Sequence, residues 1–99
     1  MVAIKIVKPF LRSGEPFPIQ VMRMARGNVT ISFKVANKVR HFGVDDSAAQ
    51  PKVTLAIAGG APRNFLVTGW GAASTGSIVT LTVNTDEGET DFDSATVGP

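Results

Sequence analysis

Val29-Thr30-Ile31-Ser32-Phe33-Lys34-Val35 alternates apolar and polar residues without a break. A period of two sets Val29, Ile31, Phe33 and Val35 on one face of an extended strand and Thr30, Ser32 and Lys34 on the other. One face belongs to a core and the other to water. The next segment, Val39 to Val44, can be registered against it. A two-residue turn at Asn37-Lys38 sets Ala36 against Val39, Phe33 against Phe42 and Ile31 against Val44, so the apolar sets of both strands share a face.

The rest of the chain reads the same way. Glycine or proline interrupts it about every ten residues, and no window sustains an i, i+3, i+4, i+7 apolar pattern beyond two turns. Eight strands are predicted: 2–8, 19–25, 29–36, 39–44, 52–58, 64–70, 77–84 and 90–97. Short strands at this spacing, with no crossover helices, predict one all-β domain over residues 1–99, an antiparallel sandwich of seven or eight strands with its core in 29–97. Residues 1–28 hold the first strands and a segment bearing Pro9, Pro16 and Pro18. Prolines cannot donate to a ladder, so this segment is expected to cross between sheets or to protrude as an arm.

At the C-terminus, Val79, Leu81 and Val83 alternate with threonines, and Phe92 is the one large apolar side chain in the segment that follows. An even loop, Glu87-Gly88 or Asp86 to Glu89, sets Phe92 against Val83 in the core, whereas a three-residue Asp-Glu-Gly loop would set it against Thr82. The even loop is the expectation. It turns Asp91 and Asp93 outward as an acidic row. The predicted core is Ile31, Phe33, Phe42, Val44, Val53, Leu55, Ile57, Val79, Leu81, Val83 and Phe92.

Composition sets the outer limits. Hydrophobic content of 43% with 18% charged residues is that of a globular chain, and 99 residues suffice for one core. The absence of cysteine excludes disulfides, thiolate metal sites and cysteine nucleophiles. No apolar run approaches a membrane span, and the first residues lack the apolar region of a signal peptide, so the expected setting is the cytoplasm or a virion, with no membrane partner. The net charge of +2 conceals a polarity. Residues 1–44 carry eight basic side chains against Glu15, and residues from Val53 onward carry Arg63 against five acids. Such halves either pair within the fold or face a partner.

The expected partner surface is made of the basic and apolar residues of the N-terminal segment, Lys5, Lys8, Phe10, Leu11, Arg12, Phe17, Arg23 and Arg26, and the acidic hairpin, Asp86, Glu87, Glu89, Asp91 and Asp93. Exposed ion pairs are worth only about 0–1 kcal/mol, so Phe10, Leu11 and Phe17 would supply most of the affinity.

Catalytic patterns are hard to build from these residues. His41 is the sole histidine, with no nucleophile or second ligand placed to pair with it. The acidic run departs from the EF-hand spacing and reads as a solvated or partner-facing hairpin rather than a calcium site. Trp70 between Gly69 and Gly71 lacks the Gly-Lys-Ser/Thr of a phosphate loop and reads as a core plug or an end contact. No cofactor is expected.

Alternating strands and the C-terminal hairpin around Ile78-Val79-Thr80-Leu81-Thr82-Val83 resemble immunoglobulin-like β-sandwich modules over residues 29–97, without the Cys, Trp, Cys framework of antibody domains. The resemblance implies a non-enzymatic structural or adhesion module. Such modules recur in bacterial surface proteins and in phage heads and tails, where the partners are other copies or a capsid or tail scaffold. The alternative is a nucleic-acid-binding barrel of the OB type, since Phe10, Phe17, Phe33 and Phe42 lie among the N-terminal basic residues.

One expectation is open to a simple check: chelation by EDTA leaves the melting temperature unchanged. A calcium-dependent rise of several degrees would show the acidic run to be a cation site.

Overall fold

The alternating segments become strands, and no helix forms. The structure is a computed structural model describing Met1–Pro99. Its elements are β1 (Val2–Ile6), β2 (Phe10–Leu11), β3 (Phe17–Arg23), β4 (Gly27–Val35), β5 (Lys38–Val39), β6 (Gly43–Val44), β7 (Lys52–Ile57), β8 (Arg63–Thr68), β9 (Ile78–Thr85) and β10 (Thr90–Val97). They form two facing sheets. The first has the order β1-β3-β8-β6, and the second runs β2-β10-β9-β4, with β5 and β7 both on the far edge of β4. All pairings are antiparallel except that of β2 with β10.

Both sheets turn an apolar face inward. Strand β3 alternates Phe17, Ile19, Val21 and Arg23 inward with half-buried residues between them, and β4 does the same with Val29, Ile31, Phe33 and Val35. At one end of the core Phe33 stacks on Phe42 with ring centroids 5.3 Å apart, and Trp70 meets Phe17 edge-on at 5.7 Å. Offset and edge-to-face contacts of this kind add to the area that the rings bury. Trp70 is therefore a core plug. Its indole Nε1 donates to the Glu15 carbonyl at 2.8 Å, and Gly69 and Gly71 on either side take the left-handed conformations that let the chain turn around so large a ring.

The proline-bearing segment is a crossover rather than an arm. Strand β1 lies in the first sheet, β2 in the second and β3 in the first again. Leu11 is buried opposite Val97, and Gly98 N donates to the Leu11 carbonyl at 2.7 Å. Two residues of pairing are too few to show as a sequence pattern.

Two expected registers are corrected. The turn after β4 is Ala36-Asn37, both with positive φ (50° and 64°), so Val35 faces Lys38 and Lys34 faces Val39. Asn suits the left-handed position, and the hairpin lasts only two residues before the chain leaves for the first sheet. Phe42 and Val44 thus reach the core from the segment that enters β6, not by continuing the hairpin.

The second correction concerns β10. Its loop is the three-residue Asp86-Glu87-Gly88, with Gly88 at φ 83° and Thr85 N donating to the Glu89 carbonyl. Phe92 pairs with Thr82 and is 65% exposed, while Asp91, Asp93, Ala95 and Val97 point inward. A three-residue loop closed by a left-handed glycine is a favoured hairpin connection, and the parity it sets buries Ala95 and Val97 in place of Phe92. The other predicted core residues are buried except Leu55, which is half-buried. To them the structure adds Val2, Ile4, Ile6, Phe17, Ile19, Val21, Phe65 and Val67 from the first sheet.

Phe33 touches three other aromatic rings and is fully buried. Phe33→Ala is expected to lower the unfolding free energy by about 3–5 kcal/mol in urea titrations. Unchanged stability would contradict this core.

Candidate functional site

Of the basic side chains, Arg23 alone makes an ion pair with the acidic hairpin, and it does so within the chain. Arg23 ends β3 on its inward parity and is only 2% exposed. Its guanidinium donates to the Asn28 carbonyl at 2.5 Å, with Asp86 Oδ1 at 3.0 Å and Glu87 Oε1 at 3.6 Å. The loop of the β9–β10 hairpin therefore lies over a buried cation as its counter-charge. Gly27 leaves room for the same group, since a Cβ there would come within 2.6 Å of the guanidinium carbon and would force the Arg23 head to shift.

The remaining acids are held along β1. The Met1 ammonium meets Glu89 Oε2 at 2.6 Å. Asp91 Oδ2 accepts from Ile4 N at 3.0 Å, and Asp93 Oδ2 accepts from Ile6 N at 2.7 Å. These amides point away from β3, because it is Val7 N that donates to the Pro18 carbonyl and Met24 N that donates to the Met1 carbonyl. The two carboxylates thus serve the otherwise unpaired edge of β1, joining the first sheet to the second along one side of the sandwich. Carboxylate-to-amide bonds are charge-assisted, and an edge covered in this way is closed to further pairing. The expected outward acidic row is corrected accordingly.

Three more of the residues expected at a partner surface are interior: Leu11 and Phe17 belong to the core, and Arg23 lies beneath the hairpin. Lys5, Lys8, Phe10, Arg12 and Arg26 remain exposed. His41 is exposed as well. No group of three or more His, Asp or Glu side chains is close enough together to hold a metal ion. No helix is long and apolar enough to cross a membrane.

Two shallow depressions mark the surface. One, of about 200 Å³, lies over β1 and β3 against Pro62 and is lined by Ala3, Lys5, Gln20 and Met22. The other, of about 440 Å³, lies between the Ala36-Asn37 turn and the loop at Gly76-Ser77. Neither collects convergent charged groups.

The outer face of the second sheet is the surface that sequence reasoning missed. Cross-strand pairs place Phe10, Thr96 and Ile78 in one row, Ser94, Thr80, Lys34 and Val39 in the next, and Phe92, Thr82, Ser32 and Lys52 in a third. Phe10 is 67% exposed, Phe92 65% and Ile78 55%. The result is a hydroxyl-rich face with large apolar side chains standing proud of it and no carboxylate on these rows. Its signal in the sequence was the parity of Ala95 and Val97, which, once assigned to the core, turns Phe92 outward.

Searches against protein-family models, curated proteins and solved structures find no match to this chain.

The double variant Asp86→Asn with Glu87→Gln leaves Arg23 buried without a counter-charge. It is expected to lose about 1–2 kcal/mol of stability, and the same pair of changes should cost little in an Arg23→Met background. Equal costs in both backgrounds, read from urea unfolding, would show that the hairpin does not neutralise Arg23.

Proposed function

We propose that this chain is a non-enzymatic interaction module that binds other protein subunits through the outer face of its second sheet. The observation that carries the reading is the exposure of Phe10, Ile78 and Phe92 on one uncharged part of that face. Large aromatic and aliphatic side chains surrounded by small hydroxyls suit the centre of a protein contact, where aromatic residues are enriched and charges depleted. Placing Phe92 in water while smaller residues fill the core is hard to understand from stability alone.

The strand order supports an immunoglobulin-like relationship. Across the sheets, the neighbours β1, β3, β8 and β6 follow one another as strands A, B, E and D do in immunoglobulin-like sandwiches, and β10, β9 and β4 as G, F and C do. Two features are additional: the parallel pairing of β2 with the last strand, and β7, which returns to the edge of β4. The setting proposed on that resemblance is a virion, as a minor capsid, decoration or tail subunit. The charged surfaces are assigned a smaller part than the apolar face, because the acidic hairpin meets its partners within the chain.

A shortened chain starting near Asn28 cannot test this reading, since β1 and β3 make up half of the first sheet. A photo-crosslinking residue at position 92, compared with one at Leu66 in the other sheet, can. The expectation is that position 92 crosslinks to one protein species in the native particle or cell, that position 66 does not, and that Phe92→Ser abolishes the contact while changing stability by less than about 0.5 kcal/mol. Crosslinking to nucleic acid, or equal labelling from both positions, would overturn it.

A further inference from the structure

Sheet edges expose unpaired backbone groups, and this fold covers nearly all of its own. The outer edge of β1 is covered by Asp91 and Asp93, while β2 and β6 end their sheets with only two residues each. Strand β7 is different. It spans six residues on the far side of β4 and has no further neighbour.

The direction of its free groups can be worked out. Phe33 O accepts from Arg40 N on the β5 side, so the odd-numbered residues of β4 point toward β5 and β7. Their partners on β7 are Val53, Leu55 and Ile57. The backbone N–H and C=O groups of Lys52, Thr54 and Ala56 therefore point away from the molecule, since both groups of a residue in an antiparallel strand face the same neighbour. Consistent with this, Ala56 O is reached from outside by Arg63 Nη1 at 3.5 Å, a long contact that strand pairing along this edge would displace. All three residues are exposed.

We propose that β7 pairs antiparallel with β7 of a second copy, joining the two second sheets into one. The edge is self-complementary about Thr54. A two-fold axis there sets Thr54 against Thr54 and Lys52 against Ala56, so three pairs exchange two hydrogen bonds each and no like charges stand opposite one another. The row Thr90, Asn84, Thr30 and Thr54, in which the Thr30 and Thr54 hydroxyls are 3.3 Å apart, then runs unbroken from one copy into the next. A two-fold contact of this kind closes on itself. It leaves the apolar outer faces of the two copies side by side on one continuous sheet. This inference rests on the reading of the chain as an interaction module and names a second copy as one of its partners.

Backbone pairing along six residues makes a small interface, so the dimer belongs to the weak class and is sought by sedimentation from roughly 10 µM to 1 mM. Thr54→Lys places two ammonium groups across the axis. Thr54→Pro removes an outward N–H that β4 does not use, a position at which an edge strand tolerates proline. The unsubstituted chain is expected to dimerise with rising concentration, both variants to weaken the dimer at least tenfold while remaining folded, and Phe92→Ser to leave it intact. In hydrogen exchange, the amides of Lys52, Thr54 and Ala56 should gain protection at high concentration. A chain that stays monomeric across this range, or a dimer that both Thr54 variants leave unchanged, overturns the proposal. A dimer lost in Phe92→Ser but kept in the Thr54 variants also overturns it, while retaining the broader reading of the apolar face. Loss of crosslinking from position 92 with the β7 dimer intact would have the opposite meaning.

Discussion

Gly88 takes a left-handed conformation that closes the β9–β10 connection in three residues, and the whole of the last strand depends on that loop length. Side chains alternate along a strand, so one residue more or less in the loop exchanges every inward position of β10 for an outward one. With three residues, Asp91 and Asp93 fall at the seam between the sheets, where they meet the amides of β1, and Ala95 and Val97 fall in the core. Phe92 falls in water. The exposed aromatic surface and the closed edge of β1 are thus two consequences of one backbone constraint.

Arg23 gives the same loop its electrostatic role. An arginine cannot shed its proton, so burying it requires anions and acceptors nearby. The Asn28 carbonyl and the carboxylates of Asp86 and Glu87 supply them to the two terminal nitrogens, Nε is left without a partner, and Gly27 leaves the space. The acidic end of the charge polarity is met within the chain by Arg23, by the Met1 ammonium and by the β1 amides, whereas Lys5, Lys8, Arg12, Arg26, Lys34 and Lys38 stay exposed without an ion pair. A partner would therefore meet the basic side chains more freely than the acidic ones.

Much of the fold was legible because β-strands announce themselves by alternation. The segments at Val29, Lys52, Ile78 and Thr90 were placed within two residues at either end. Strand β3 was expected at 19–25 and lies at Phe17–Arg23, and the shared parity of Arg23 with Phe17, Ile19 and Val21, which makes the arginine interior, emerges only with the structure. Parity in β10 was ambiguous, since Phe92 argued for one face and Ala95 with Val97 for the other. The size of a phenylalanine was a poor guide against two smaller residues and a glycine-dependent turn. Strand β2, at two residues, carries no period at all. The candidate surface was hidden for the same reason as the register: exposed Phe92 and the hydroxyl face around it appear only once the loop length is known.

Because the carboxylates that cover β1 lie 87 residues further along the chain, the order of synthesis matters. The β1–β3 pair can form early, but it presents bare amides until Asp91 and Asp93 have left the ribosome. Contacts of such long sequence separation form slowly, because the closure entropy precedes the reward. During that interval β1 is the strand most open to pairing with a neighbouring nascent chain, a hazard that ends when Asp91 and Asp93 arrive.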